Sequence, residues 1–346
     1  MFSFEDENRS VIFKKEFIPG IDKKDYVSLA TYYWPNPSNK DGLPYVLRDG
    51  NVNPEGSLFD KDNLRELAFT VYYQCILYYL SDDKKYYELI KQNINYYFLD
   101  ENTGMNPNMN HAQMIKGVNL GRGIGLIDFT ANMSYALYML KMLYDADYLE
   151  DEFYESLKVW LEKFYIWYTT SKIALEEKNA DNNHGIFYDF GQIILSDILG
   201  KEVYSSVERM VDLRLCKQIS ENKMPLELKR TKSKNYSLMA LKGIYDFSTV
   251  SKKYGYDLYK LNEWYPNKID VDFSSVMDYL YDKLVEKNGT WNYKQISYFD
   301  EATLFPLIYE KIKINSSFFK DLFILNKSNV KIDIQFCLLF LLFKGE

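Results

Sequence analysis

Two histidines and three cysteines are all that this chain of 346 residues carries. His111 and His184 alone exclude a multi-histidine metal centre. Cys75, Cys216 and Cys337 are too few for a disulfide framework and lack metal-ligand spacing. Positive charge is in deficit: 42 Lys and Arg against 49 Asp and Glu leave a net charge of −7, which argues against nucleic acid as a partner. No apolar run approaches the ~20 residues needed to span a membrane, and the longest such stretch, Phe336 to Phe343, reads as a buried C-terminal helix. The N-terminus, MFSFEDENRSVIFKKEF, is acidic and lacks an apolar run of signal-peptide length, so the chain either stays in the cytoplasm or begins after a removed leader. Proline is sparse, and none falls between Pro107 and Pro225, which keeps that stretch open to helices. Aromatic residues are what the chain has in quantity: 17% of the total, with 32 tyrosines. The background is 47% apolar and 26% charged, enough to bury a sizeable core and to exclude disorder as the main state.

Length sets a prior of roughly two domains, although single large barrels also reach this size. Residues 17–58 are rich in Pro, Gly, Asn and Asp without sustained periodicity, which marks an ordered but irregular segment. Beyond Asn63, the residues Leu64, Leu67, Val71, Cys75, Leu77 and Leu80 recur near helical spacing. Ser81-Asp82-Asp83 then opens a second helix through Tyr86, Leu89, Ile90 and Ile94. A Gly- and Asn-rich stretch runs from Asn102 to Asp128. Further helices are predicted near 130–146, 152–170, 190–200, 204–221, 236–254, 272–287, 301–312 and 332–343. Long loops remain at 98–129 and 171–190, and loops of that length are usually functional. Strand patterns are scarce and no fixed repeat is visible, which favours hairpins closed into a toroid over an open solenoid. The predicted fold is all-α, an incomplete α/α toroid of stacked helical hairpins. Residues 1–346 are read as a single domain, with residues 1–60 an irregular N-terminal segment contributing to its cleft.

Two segments have the composition of a chemical site. In Asp181-Asn182-Asn183-His184-Gly185, followed by Tyr188 and Asp189, two amides sit beside one of the two histidines. Neutral amide donors and a group titrating near neutrality suit the binding of a carboxylate. The plainer reading is a turn in which Asn and Asp cap the next helix and His184 is a satisfied buried side chain. The second segment, PLELKRTKSKNYS at 225–237, places Lys229, Arg230, Lys232 and Lys234 within six residues, against the acidic average. It is either a local anion site or a solvated basic loop. Tyr236 directly follows and starts an apolar helix. A positive field there favours the phenolate, and each unit of depression from a reference pKa near 10 needs about 1.4 kcal/mol. Gly121-x-Gly123-x-Gly125 lacks the spacing, preceding strand and βαβ context of a nucleotide loop.

Several ordered blocks together resemble the alginate lyase family. Ser28-Leu29-Ala30-Thr31-Tyr32-Tyr33-Trp34-Pro35-Asn36-Pro37, then Asp41 to Val46 and Arg48-Asp49-Gly50, are similar to its N-terminal signature. So are Met105-Asn106-Pro107-Asn108 with Ala112-Gln113, and Asn119 to Gly125. NNHG at 182–185 with Tyr188-Asp189 resembles the family's Asn-His motif, and PLELKRTKSKNYS its Arg/Tyr motif; the likeness runs from about residue 17 to 296. The departures are His111, where relatives often carry Tyr, and Gly191, which displaces the expected glutamine to Gln192.

The resemblance implies a toroidal lyase that cleaves an acidic polysaccharide by β-elimination without a metal or organic cofactor. In that reading Asn183 and Arg230 hold the substrate carboxylate, His184 assists, and Tyr236 removes the C5 proton and protonates the departing C4 oxygen. Charge neutralisation of this kind stabilises the enolate-like transition state, and a tyrosine acts as base and then acid when its pKa lies near the working pH. Substrate contacts are expected at Arg48, Arg122, Tyr32, Trp34, Gln113, His111, Tyr188, Lys234 and Trp291, since arginine pairs with carboxylates and aromatic rings stack on sugar faces. The expected partner is an anionic polysaccharide, with no nucleic acid and no membrane, and the expected protein is a monomer that is secreted or periplasmic. Two other classes compete. One is an α/α-barrel glycoside hydrolase using two of Asp49, Asp181, Asp189 and Glu227, which needs two carboxyl groups about 5–10 Å apart. The other is a non-catalytic carbohydrate-binding helical protein.

Overall fold

The computed structural model describes residues 9–221 and 223–265. Trp291, Cys337, the stretch Phe336 to Phe343 and the helices expected at 272–287, 301–312 and 332–343 lie outside the described residues. Helices dominate: α1 (Lys61–Ser81), α2 (Lys84–Ile94), α3 (Ile127–Thr130), α4 (Met133–Asp145), α5 (Asp151–Thr170), α6 (Lys172–Lys178), α7 (Asn183–Leu199), α8 (Tyr204–Arg209), α9 (Cys216–Gln218), α10 (Pro225–Leu228), α11 (Ser233–Lys252) and α12 (Leu261–Trp264). Short strands form two small sheets. In one, β1 (Val27–Leu29) lies parallel to β4 (His111–Met114); in the other, β2 (Tyr33–Trp34) lies antiparallel to β3 (Val46–Leu47). The described residues fall into two compact units. One lies within Met1–Ala180 and Gly191–Val203, the other within Asp181–Phe190 and Tyr204–Glu346. No helix among the described residues is long and apolar enough to cross a membrane.

In the first unit, the turn predicted at Ser81-Asp82-Asp83 divides α1 from α2 by two aspartates with different tasks. Asp82 takes the left-handed conformation (φ 54°) and returns its N–H to the Tyr78 carbonyl, closing α1. The Asp83 side chain accepts the Lys85 N–H and opens α2. The tyrosine doublets along this hairpin and just beyond it are split by the ~100° step between successive helical residues. Tyr72, Tyr78, Tyr87 and Tyr97 are buried, whereas Tyr73, Tyr79, Tyr86 and Tyr96 are partly or largely exposed. The irregular N-terminal segment is pinned by a buried ammonium. Lys14 Nζ donates to the carbonyls of Val11, Lys23 and Asp25 and lies 3.2 Å from Asp60 Oδ2, which also accepts the Val27 N–H. Val27, Leu29, Ala30, Tyr45, Phe59, Met114 and Ile115 then form a small core around the parallel sheet.

Two stretches differ from the prediction. The loop expected at 171–190 is instead α6 and the first turns of α7. Its polar residues are capping chemistry at two closely spaced helix starts: Ser171 accepts the Ala174 N–H, and Asn182 accepts the His184 N–H. The helix expected over 204–221 is interrupted by a π-helical turn at Met210–Leu215 between α8 and α9.

In the second unit, α11 packs on the first turns of α7 at Gly243. A Cβ there would stand 2.7 Å from Ile186 Cγ2 and 3.4 Å from a Phe187 ring carbon. That close approach sets the helix bearing Tyr236 beside the helix bearing Asn183 and His184.

Candidate active site

The NNHG block starts α7, and every N–H of its first turn is satisfied. Asn183 N donates to Glu227 Oε1 at 2.8 Å and His184 N to Asn182 Oδ1 at 3.1 Å, while Gly185 N and Ile186 N reach the Asn182 carbonyl. Asn182 is therefore the helix cap, as the plainer reading expects, with Asn183 and His184 on the first turn; His184 is half-buried rather than buried. Asn183 is buried, and its Nδ2 donates to Glu227 Oε1 and Oε2, each at 3.1 Å. Its Oδ1 is buried with no hydrogen-bond partner.

Glu227 lies on α10, within the basic segment. Burial raises its carboxyl pKa above the ordinary value. The Asn183 hydrogen bonds and the positive charges of Arg230 and His184 oppose that rise. Three residues on, the Arg230 N–H donates to the Glu227 carbonyl. The Arg230 guanidinium then lies over the Tyr236 ring, 3.9 Å from carbon to centroid, well inside the ~6 Å range of a cation–π contact. Tyr236 sits in the first turn of α11, where the helix dipole adds to the positive field. His184, Arg230, Lys234 and Tyr236 are half-buried, whereas Asn183 and Glu227 are buried. The second unit thus brings Asn183, His184, Arg230 and Tyr236 into one neighbourhood with Glu227 at its centre. Burial pushes the hydroxyls of Tyr26, Tyr97 and Tyr154 well above their ordinary value, which keeps them protonated.

Further along α7, Asp189 holds an ion triad. Asp189 Oδ1 accepts from Arg209 Nε and Oδ2 from Arg214 Nε, both at 2.8 Å. The i→i+5 bonding of the π-helical turn brings arginines five apart towards one side, which an α-helix would not. Tyr188 is fully buried, with the Arg209 guanidinium 5.9 Å from its ring centroid.

The remaining candidates lie in the first unit. Arg122 donates through Nε to the Gln113 carbonyl and through Nη2 to Gln113 Oε1, at 3.0 and 3.2 Å, and stands over the Tyr33 ring. Gln113, at φ 49°, passes Nε2 to Asp128 Oδ1. The buried Asp128 also receives Tyr26, Ser28 and Lys61. Arg48 lies over Trp34, 5.3 Å from its ring centroid, and Tyr32 is half-buried in the turn leading into that strand. His111 is held at both ring nitrogens, Nε2 lying 3.6 Å from Asp25 Oδ2 and Nδ1 3.2 Å from the Leu120 carbonyl. Gly191 occupies a spot where a Cβ would meet Thr130 and Tyr168 at 2.6 and 2.8 Å, so a glutamine cannot stand there and Gln192 follows it. No group of three or more His, Cys, Asp or Glu among the described residues could hold a metal ion.

Sequence reasoning gave Glu227 only as a hydrolase carboxylate, because its reach to Asn183 spans 44 positions. It missed three organising residues. Arg209, Arg214 and Asp128 leave no local signal, because their partners are set by packing.

The comparisons with known proteins concern the family and the fold. A sequence model of the family described as alginate lyase matches residues 12–291. The crystal structure of an alginate lyase from Bacteroides ovatus is 27% identical and covers 92% of this chain and 84% of its own, with a TM-score of 0.83. Alginate lyase A1-III from Sphingomonas species A1 is 13% identical over 86% of this chain and 78% of its own, with a TM-score of 0.56. A histidine-to-alanine variant of A1-III complexed with tetrasaccharide gives 12% identity over 90% of this chain and 83% of its own, and a TM-score of 0.57. At those identities the likeness to A1-III is one of fold. A search of curated proteins gives no significant match. The family match spans most of the chain, and the fold is the all-α toroid expected from the sequence. The chain belongs to the alginate lyase family and is a polysaccharide lyase.

Proposed function

We propose that this lyase cleaves an acidic polyuronate by β-elimination, polymannuronate-type alginate first and glucuronan second. The observation that carries the reading is the Arg230 guanidinium 3.9 Å over the Tyr236 ring, on a loop tied through Glu227 to Asn183. Asn183 and Arg230 neutralise the substrate carboxylate, which acidifies the C5 proton, and His184 assists. Tyr236 takes that proton as phenolate, a C4–C5 double bond forms, the C4–O bond breaks, and the phenol returns the proton to the departing oxygen. Donors already in place where charge develops lower the barrier without reorganisation. The scheme requires no cofactor. In the first unit, Arg122 braced on Gln113 and Arg48 over Trp34 are the proposed contacts for the anionic polymer, and residues 1–346 work as one lyase domain. A polymeric polyuronate places the activity outside the cytoplasm, in a secreted or periplasmic enzyme working as a monomer.

Of the four carboxylates open to the hydrolase alternative, Asp189 is paired with two arginines and Glu227 with Asn183. The test is incubation with polymannuronate and with glucuronan, followed by ultraviolet absorbance of the unsaturated product. Absorbance that rises with each chain cut is expected, and new reducing ends without it would sink the lyase mechanism. Tyr236→Phe should lose about 10²–10⁴-fold in kcat, the range of a positioned acid–base group. Near-normal turnover would remove Tyr236 from its role.

A further inference from the structure

We infer that Glu227 is a positioning residue of the elimination site, whose carboxylate fixes the Asn183 carboxamide so that one side-chain N–H is left for the substrate. This rests on the polyuronate-lyase reading and adds a residue to it. The geometry is specific. Asn183 Nδ2 lies 3.1 Å from both Glu227 oxygens, and the Asn183 backbone N–H lies 2.8 Å from Oε1. Two oxygens of one carboxylate subtend roughly 40° at a nitrogen that far away, whereas the two N–H bonds of an amide diverge by about 120°. A single N–H is therefore shared between the oxygens, and the other points away from Glu227.

The carboxylate also decides which way the amide faces. An ionised carboxylate only accepts hydrogen bonds, so the flipped amide would set Oδ1 against like charge. With Nδ2 held, Oδ1 is buried and without a partner. The Asn183 carboxamide thus offers a ligand one donor and one acceptor, as a sugar carrying a carboxylate and hydroxyls requires. Glu227 gives both carboxylate oxygens to Asn183, so it acts through that amide. The Glu227 backbone carbonyl also receives the Arg230 N–H.

The experiment is a double-mutant cycle on the full chain with Glu227→Gln and Asn183→Ala, following unsaturated product from polymannuronate. Glutamine keeps the size and removes one acceptor. Glu227→Gln should lower kcat about 10²-fold, the scale of a misplaced catalytic group, with KM within about threefold. In the Asn183→Ala background the same change should cost less than about twofold, because Glu227 then has nothing to position. Wild-type kcat in Glu227→Gln, or an undiminished loss in the Asn183→Ala background, overturns the proposal. Wild-type silence on both polymannuronate and glucuronan overturns the lyase reading instead. A second measurement decides the clamp whether or not Glu227→Gln folds. In ¹⁵N-asparagine-labelled protein, the side-chain signals that vanish in Asn183→Ala should show one proton shifted strongly downfield of its mate. An ordinary, closely spaced pair overturns the clamp.

Discussion

Replacing Asp189 with Asn tests the ion triad that anchors α7. The Asp189 side chain is fully buried, Arg214 is 1% exposed and Arg209 14%, with both carboxylate oxygens 2.8 Å from a guanidinium nitrogen. Asparagine keeps one acceptor and turns an NH₂ towards the other guanidinium, so a repulsive donor–donor contact replaces a charge-assisted bond. It also leaves a buried cation uncompensated. Breaking a buried pair from one side costs about 3–5 kcal/mol, out of a total stability of about 5–15 kcal/mol. Even the lower figure changes the folded-to-unfolded ratio by about 150-fold. Urea unfolding followed by far-ultraviolet circular dichroism should show the midpoint fall with an unchanged slope. Removing the fully buried pair with Asp189→Leu and Arg214→Met leaves only the more exposed Arg209 and should recover part of the loss, since apolar replacements of a buried pair are near neutral. A loss under about 1 kcal/mol, or a double variant no better than Asp189→Asn, would refute the view that α7 is anchored here.

Other outcomes follow from the same geometry. Gly243→Ala puts a methyl 2.7 Å from Ile186 Cγ2. It should cost about 1–3 kcal/mol of stability, as overpacking does, and lower kcat by moving α11 against α7. An unchanged melting temperature would mean that the two helices separate freely. Arg122→Ala should raise KM while leaving kcat near wild type, the signature of uniform binding, and a fall in kcat alone would contradict that role. Glu227 sets a pH dependence of stability. Burial, opposed by Asn183, Arg230 and His184, raises its folded pKa above the unfolded value. Its stabilising contribution is then full below the unfolded pKa near 4.5 and is lost as pH rises through the folded value. The wild type should lose stability relative to Glu227→Gln as pH climbs from 4 to 7. A difference that is flat with pH would show that the carboxyl is not raised.

Much was legible because it is local. Leucine spacing and the Ser81-Asp82-Asp83 turn placed the first two helices, since periodicity and capping act within a few residues. The blocks NNHG and PLELKR…Y stood out for composition alone. The 171–190 stretch misread as a loop shows the limit of composition: Ser and Asn that cap a helix look like Ser and Asn that make a turn.

By itself, then, the sequence determined a helical chain with few histidines, a net negative charge, and two segments rich in amide and cationic groups. The tertiary structure decided that Tyr236 lies under the Arg230 guanidinium, and that the amide of Asn183 faces a buried glutamate 44 residues away. It also decided that Asp189 on α7 meets two arginines across a π-helical turn. Burial and pairing over such distances depend on how helices pack, here on a glycine that lets α11 approach α7. No window along the chain contains that information.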